Sequence, residues 1–232
     1  MKDILCQGFP ELGISPSEES INNLIRYYAL VDKKNKVMNL TAIQGEEATA
    51  RQHFLDCGAM LKFVSLNGKS VGDVGSGAGF PGLVLKILEP GLSLTMLDSQ
   101  QKRVTFQQEA VDALGLRNVR CLAGRAEEET ELRESFDVVT SRAVARLNML
   151  CELCLPLVKK GGCFVSMKGP DPEAELTEAQ KCISTLGGGE ARVEKYTIPG
   201  TDIVHSLVII QKVRHTPAQY PRRFALIKKQ PL

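Results

Sequence analysis

Residues 73–82 of the chain read DVGSGAGFPG, a glycine-rich stretch that lies between an apolar run and a segment able to form a helix. Gly75, Gly77 and Gly79 let the backbone turn sharply and approach a bound molecule without a Cβ atom in the way. Such a loop joins the first strand to the first helix in many nucleotide-binding α/β folds. The same residues also suit a tight turn without a ligand, so the stretch indicates a fold before it indicates a function.

Short β-rich runs alternate with helical segments from residue 70 to near the C-terminus. There are seven such runs: SVGDVG, SLTMLD, NVRCLA, FDVVTS, GCFVSMK, RVEKYTI and DIVHSLVIIQK. Strands that alternate with helices are typical of a parallel sheet with right-handed crossovers. The last two runs are joined by only a few residues, PGT, which are too few for a helical crossover. We therefore predict that they form an antiparallel hairpin at the edge of a seven-stranded, mostly parallel sheet.

The N-terminal part of the chain has a different pattern and is predicted to be helical. Ser15, Pro16 and Glu18 have the spacing of a capping box with proline in the first turn. Apolar residues then recur at helical spacing from Ile21 to Val31, and a second helical stretch is predicted from Glu46 to Val64. We divide the chain into three parts: a helical extension at 1–66, an α/β domain at 67–212 and a tail at 213–232.

Charge is distributed unevenly along the chain. The sequence has 29 Lys and Arg against 27 Asp and Glu, a formal charge of +2. The stretch from 211 to 232 contains no acid and six cations: Lys212, Arg214, Arg222, Arg223, Lys228 and Lys229. The rest of the chain has 23 basic against 27 acidic residues. An acidic body with a cationic tail indicates a polyanionic partner, although a solubilising tail has the same composition.

The overall composition, 43% hydrophobic and 24% charged, is that of a soluble globular protein. No secretion signal and no apolar window of about 18 residues occurs, so we expect a cytoplasmic protein without a membrane partner. Seven cysteines, an odd number in a chain of this length, favour a reducing compartment over a disulfide framework. Cys151 and Cys154 form a CxxC inside an apolar, helix-like run without further ligands, so no metal site is predicted.

Asp98 ends the second predicted strand, at the same sheet edge as the glycine loop. A carboxylate there can accept hydrogen bonds from both hydroxyls of a ribose, as in any adenosine cofactor. Gly77, Gly79 and Gly82 satisfy the GxGxxG spacing, so a nicotinamide or flavin enzyme stays open. Asp73, just before the glycines, is unfavourable near a pyrophosphate and favourable near the cationic groups of S-adenosylmethionine. This acid, together with a terminal hairpin in place of a second nucleotide half, favours the methyl donor.

Eight motifs follow one another along nearly the whole chain: NLTAI (39–43), HFLDC (53–57), DVGSGAGFPG (73–82), LDSQQKR (97–103), RAEE (125–128), FDVVTSRAVA (136–145), KG (168–169) and YPRR (220–223). In this set the sequence resembles the bacterial RsmG family, formerly called glucose-inhibited division protein B. The resemblance implies a class I S-adenosylmethionine-dependent methyltransferase with a Rossmann-like domain. It also implies methyl transfer to N7 of a guanine, with 16S ribosomal RNA or the small ribosomal subunit as partner, and we expect a monomer.

The resemblance also implies positions for the cofactor. It assigns the cofactor to Gly75 and Phe80 in the loop, Ala126 and Glu127 after the third strand, and Arg142 after the fourth. The interpretation of the loop adds four residues to the predicted cofactor site: Asp73, Gly77, Gly79 and Asp98. Phe80 suits the core equally well, and His53 suits either a core hydrogen bond or a place in the site.

The segment after the fourth strand, TSRAVA, contains no amine-activating motif and no cysteine at an attacking position. Guanine N7 has a lone pair and no proton, so it can displace the methyl group directly, in line, without a general base. Arg142 and Lys168 are the predicted catalytic residues. The planar fork of Arg142 would hold the base or the cofactor carboxylate, and Lys168, after the fifth strand, would meet a neighbouring phosphate.

Two positions depart from the family. After YPRR the tail reads FALIKKQPL, where the family has a glycine and prolines, and Cys57 stands where the family usually has serine, a change expected to be silent. Within the tail, Arg222, Arg223, Lys228 and Lys229 are the predicted RNA-binding residues, because they have no neighbouring acid. Two alternatives stay open: a nicotinamide- or flavin-dependent oxidoreductase, and a protein that binds RNA or the cofactor without catalysis.

Overall fold

A computed structural model describes all 232 residues. Its seven strands form one sheet: β1 (Ser70–Val74), β2 (Ser93–Asp98), β3 (Val119–Ala123), β4 (Phe136–Arg142), β5 (Val158–Lys168), β6 (Gly188–Thr197) and β7 (Val204–Lys212). Their spatial order is β3-β2-β1-β4-β5-β7-β6. Strands β1 to β5 are parallel, and β7 is antiparallel to both of its neighbours. The seven predicted strands and the antiparallel edge hairpin are confirmed.

Nine α-helices surround the sheet: α1 (Lys2–Glu11), α2 (Glu18–Met38), α3 (Glu46–Thr49), α4 (Asp56–Gly58), α5 (Gly82–Leu88), α6 (Gln101–Leu114), α7 (Leu147–Cys154), α8 (Glu173–Thr185) and α9 (Phe224–Lys229). A π-helical stretch, Ala50–Leu55, joins α3 to α4, and a 3-10 turn continues to Lys62. The predicted second helical stretch is therefore one nearly continuous, irregular helix. None of the helices is both long and apolar enough to cross a membrane.

Helix α2 begins two residues later than predicted. Ser17, not Ser15, is the N-cap, because its hydroxyl accepts a hydrogen bond from the backbone N–H of Ser20 at 3.0 Å. Glu18 lies in the first turn, where a negative charge is favourable, instead of closing a capping box.

Two hydrophobic cores cover the two faces of the sheet. The first contains residues of the N-terminal helices, such as Phe9, Leu24 and Phe54, together with sheet residues such as Val71 and Val165. The second, on the opposite face, is formed by the other sheet side chains with α7, α8 and α9. The N-terminal helices thus share one core with the sheet, in a three-layer arrangement.

The C-terminal segment is folded onto the body of the protein. Arg133 donates hydrogen bonds to the carbonyl oxygens of Tyr220 at 2.6 Å and Thr216 at 2.5 Å. Arg222 binds the buried Glu152 of α7 through its backbone N–H, Nε and Nη2. Ile227 of α9 is fully buried in the second core.

The prediction that the six cations of residues 211–232 have no compensating acid is therefore wrong for two of them. Lys212 is fully buried, donates to the Leu155 carbonyl at 2.6 Å and lies 3.3 Å from a carboxylate oxygen of Glu134. The guanidinium of Arg222 is committed to Glu152, so its predicted RNA contact has no support. Both acids lie far outside the tail in sequence, where the charge pattern of the tail does not reveal them.

Candidate functional site

A cavity of about 280 Å³ opens at the carboxyl ends of β1 to β4, where the strand order reverses between the neighbours β1 and β4. It brings together four of the predicted site residues: Gly75, Asp98, Ala126 and Glu127. The remaining wall is formed by residues that sequence reasoning did not assign to the site: Val74, Leu97, Ser99, Arg103, Gly124, Arg125, Ala143, Val144, Leu153 and Phe224.

The glycine loop after β1 has left-handed backbone at all three predicted positions, with φ of 73° at Gly75, 58° at Gly77 and 101° at Gly79. A Cβ atom at Gly75 would overlap the side chain of Val144 on the cavity wall. A Cβ atom at Gly79 would lie 2.7 Å from Oη of Tyr27, behind the loop. The first glycine therefore permits the close approach of Val144, whereas the last permits close packing onto the N-terminal helices.

The carboxylate of Asp98 connects the two loops that border the cavity. Its Oδ2 accepts a hydrogen bond from the N–H of Gly77 at 2.8 Å, and its Oδ1 accepts one from Gln100 at 2.9 Å. Nη1 of Arg103 lies 3.6 Å from Oδ2. Each oxygen can accept a second hydrogen bond, so the group fits a diol such as a ribose.

Glu127 places an unpartnered acceptor in the wall of the cavity. Its side chain is only 5% exposed, and its Oε1 has no hydrogen-bond partner, with Arg125 at 3.9 Å. Burial raises the pKa of this carboxyl above its ordinary value. Because buried polar atoms are nearly always paired, the oxygen suits a ligand that brings a hydrogen-bond donor. The hydrogen-bond acceptors of the cavity therefore fit an adenosine-containing cofactor.

Asp73 and Phe80 lie behind the loop and are not part of the cavity wall. Oδ2 of Asp73 accepts a hydrogen bond from the N–H of Gly82 at 2.9 Å, which ties the end of β1 to the start of α5. Burial raises the pKa of Asp73 to about 7. The ring of Phe80 stacks on the His53 ring with centroids 4.1 Å apart. These contacts organise the loop from its core side.

Arg142, the last residue of β4, points toward the N-terminal helices. Its Nη2 donates to the Gln52 carbonyl at 2.9 Å, and its Nη1 lies 2.9 Å from the Cys57 sulfur and 3.4 Å from Asp56 Oδ2. Cys57, which stands where the family usually has serine, thus contacts the guanidinium through its thiol. Burial raises the pKa of this thiol to about 12, so the contact is made by a neutral group.

The same cluster contains further polar side chains that sequence reasoning missed. Oδ1 of Asp56 accepts hydrogen bonds from Tyr196 Oη at 2.8 Å and from His205 Nδ1 at 2.7 Å. His53 makes a core hydrogen bond, 2.9 Å from its Nε2 to Thr41 Oγ1. Burial, and then the charge of Arg142, lower the pKa of His53 to about 3, so His53 is neutral at physiological pH.

Lys168, at the end of β5, holds the loop that follows β4. Its Nζ donates to Glu175 Oε2 at 2.8 Å and to the Ala145 carbonyl at 3.0 Å. The same Glu175 oxygen accepts a hydrogen bond from the N–H of Leu147, the first residue of α7. The structure thus gives Lys168 partners within the protein, and these contacts fix the loop that carries Val144 into the cavity wall.

Comparison with known proteins shows to which family the chain is related. Residues 20–204 match the family described as GidB, rRNA small subunit methyltransferase G. The chain belongs to this family. A ribosomal RNA small subunit methyltransferase G of Clostridium botulinum (strain 657 / Type Ba4) is 43% identical, over 99% of this chain and 98% of its own length. The methyltransferase G of Alkaliphilus oremlandii is 42% identical, over 100% of this chain and 99% of its own length.

Solved structures with less than 25% sequence identity to this GidB chain share its fold. A SAM-dependent methyltransferase from Aquifex aeolicus is 19% identical, with a TM-score of 0.54, over 74% of this chain and 96% of its own. M. jannaschii TYW2, solved in complex with AdoMet, is 14% identical, with a TM-score of 0.51, over 65% of this chain and 72% of its own. The predicted family, fold class and cofactor, S-adenosylmethionine, are confirmed. Neither the oxidoreductase nor the non-catalytic alternative is favoured.

Replacing Asp98 by alanine is expected to weaken cofactor binding by about 1.5–3 kcal/mol, because a charged acceptor is lost from the cavity wall. Asp98→Asn should lose nearly as much, since its amide NH2 would face one of the two N–H groups, of Gly77 or Gln100, from which the carboxylate oxygens accept. Calorimetric titration with S-adenosylhomocysteine measures the change. Glu128→Ala is the control, because it removes an exposed acid that follows the cavity residue Glu127 in the chain. Wild-type affinity in the Asp98→Ala variant would contradict the ribose role.

Proposed function

We propose that the chain transfers the methyl group of S-adenosylmethionine to N7 of a guanine in 16S ribosomal RNA. Membership of the rRNA small subunit methyltransferase G family supplies the reaction class. The observation that supports N7 as the acceptor atom is the composition of the segment after β4 in the cavity wall. This segment contributes only Ala143 and Val144 to the cavity, two side chains that cannot take up a proton.

The proposed roles of the binding residues follow from their hydrogen-bonding capacity. The bound cofactor supplies an electrophilic methyl group on a sulfonium. Asp98 accepts hydrogen bonds from the ribose hydroxyls, and Glu127 Oε1 accepts one from a donor at the adenine end. Gly75 lets the end of β1 and the segment after β4 lie close together at the cavity wall, because a Cβ atom there would overlap Val144. Arg142 and Lys168 act as positioning residues of the β4 end, through Asp56 and Glu175 respectively.

Guanine N7 suits a site without a base because it carries a lone pair and no proton at neutral pH. The N7–carbon bond forms as the carbon–sulfur bond breaks, the electron pair stays on sulfur, and no proton is transferred. Catalysis then consists of orienting the reactants, which can contribute about 7–11 kcal/mol. Unstacking the target base costs a few kcal/mol, and less in an RNA loop than in a duplex.

RNA contacts are assigned to the exposed cations next to the cavity. Arg223, Lys228 and Lys229 are exposed, and they lie at the two ends of α9, the helix that carries the cavity residue Phe224. Their charges suit phosphates of the RNA that surrounds the target base. The protein acts as a cytoplasmic monomer on 16S ribosomal RNA or the small subunit in this proposal.

The test is to map methyl groups transferred from labelled S-adenosylmethionine to 16S ribosomal RNA. N7 methylation gives guanine a positive charge, so mild reduction followed by aniline should cleave the RNA at the modified nucleotide. The rate at saturating RNA should show no ionisation of a catalytic base between about pH 6.5 and 9. Recovery of a methylated adenine, a methylated cytosine or a ribose 2′-O-methyl group would overturn the acceptor assignment.

A further inference from the structure

The tail sequence FALI, where this chain departs from its family, gives the cavity a distinctive wall. It begins the short helix α9, and its first residue, Phe224, borders the cavity together with Ala126, Asp98 and Leu153. Phe224 is the one aromatic side chain among the cavity residues. The guanidinium of Arg125 lies over its ring, 5.5 Å from the centroid. The ring therefore stands at the side of the cavity bordered by the segment after β3.

Contacts of residues before and after Phe224 in the chain fix the position of its ring. Two residues before it, Arg222 makes three hydrogen bonds to the buried Glu152 of α7. Three residues after it, Ile227 is fully buried in the core that α7 also lines. A half-buried ring held in this way loses little further conformational freedom when a ligand packs on it, so contact with a ligand is favourable.

We propose that Phe224 is a further cofactor-binding residue, whose ring packs against the purine of S-adenosylmethionine. The inference rests on the proposed function, and it assigns to the tail a role in binding the cofactor. A purine offers a flat π-face that stacks on aromatic side chains, whereas the charged amino-acid end of the cofactor requires polar partners. Glu127, on the same side of the cavity, is the residue assigned to the adenine end, and Ala126 lies next to it in the cavity wall.

A fluorescence experiment tests whether the ring faces the ligand. The chain contains no tryptophan, so Phe224→Trp introduces a single reporter at the cavity. Saturation with S-adenosylhomocysteine should change the emission of this variant. Leu226→Trp is the matched control, because Leu226 lies on the same helix, is 42% exposed and does not border the cavity. Equal responses of the two variants would overturn the proposal.

Calorimetry tests which part of the cofactor is contacted. Phe224→Ala should weaken binding of S-adenosylhomocysteine and of 5′-methylthioadenosine by about tenfold each, since both contain the purine. Leu226→Ala should bind both ligands as the wild type does. Unchanged affinity of Phe224→Ala for either ligand would overturn the purine contact. If the wild type failed to bind S-adenosylhomocysteine, the proposed function itself would fail, which distinguishes the two conclusions.

Discussion

An Arg222→Ala variant is expected to unfold with a free energy about 3–5 kcal/mol below that of the wild type. Glu152 has a side chain that is only 1% exposed, and Arg222 donates to it at 3.0, 2.7 and 2.6 Å. Removal of the cation leaves a buried carboxylate without its counter-charge, which is the costly half of breaking a buried ion pair. Urea unfolding followed by circular dichroism measures the difference.

The neighbouring residue supplies the control. Arg223 has the same charge, is exposed and makes no ion pair, so Arg223→Ala should change the unfolding free energy by no more than about 0.5 kcal/mol. Replacing both partners, as Arg222→Met with Glu152→Leu, should restore part of the lost stability, because two apolar side chains need no pairing and only the backbone N–H of residue 222 loses its acceptor. Equal losses for Arg222→Ala and Arg223→Ala would show that the ion pair is not the cause.

Arg142→Lys is expected to lower the rate of methyl transfer about 100-fold, equivalent to about 2.7 kcal/mol. The planar guanidinium contacts the Gln52 carbonyl, the Cys57 sulfur and Asp56 together, and one ammonium cannot reproduce this geometry. Arg142 immediately precedes Ala143 and Val144 on the cavity wall, so a shift at the end of β4 is transmitted to the site. Single-turnover rates with saturating RNA and cofactor report the effect.

Cys57→Ser is the matched control for Arg142→Lys. A serine hydroxyl can accept the same hydrogen bond from Arg142, so the transfer rate should stay within about twofold of the wild type. A positioning role predicts a fall in kcat with a smaller change in KM. An Arg142→Lys enzyme with wild-type kcat would remove Arg142 from the catalytic machinery.

Most of the fold could be predicted from the sequence because its signals are local. Each strand is a short β-rich run with turn residues on either side, and the PGT connection by itself requires an antiparallel hairpin. The glycine loop and Asp98 meet at one sheet edge because parallel strands bring their carboxyl ends together. The predicted start of α2 differs from the observed one by only two residues, because Ser17 offers the same hydroxyl as Ser15 closer to the helix.

The rest depends on contacts between residues distant in the sequence. Arg222 and Glu152 are 70 residues apart, and Arg142 contacts Cys57 across 85 residues. Counting cations in the tail cannot reveal an acid buried in α7, and the family motifs do not indicate the direction of the Arg142 side chain. The sequence does contain a signal for Phe224 that was not used. FALI is an apolar run at a place where the family has helix-breaking residues.

The division predicted at residue 66 separates two sequence patterns, and one hydrophobic core contains residues from both sides of it. Tyr27, on α2, donates a hydrogen bond to the Ala78 carbonyl in the middle of the glycine loop, at 2.5 Å, and Gly79 packs against the same side chain. The side of the glycine loop that faces away from the cavity is thus held by α2. We therefore expect that a chain shortened to the Rossmann-like part alone would lose the contacts that hold its glycine loop in shape, because the helical extension supplies them.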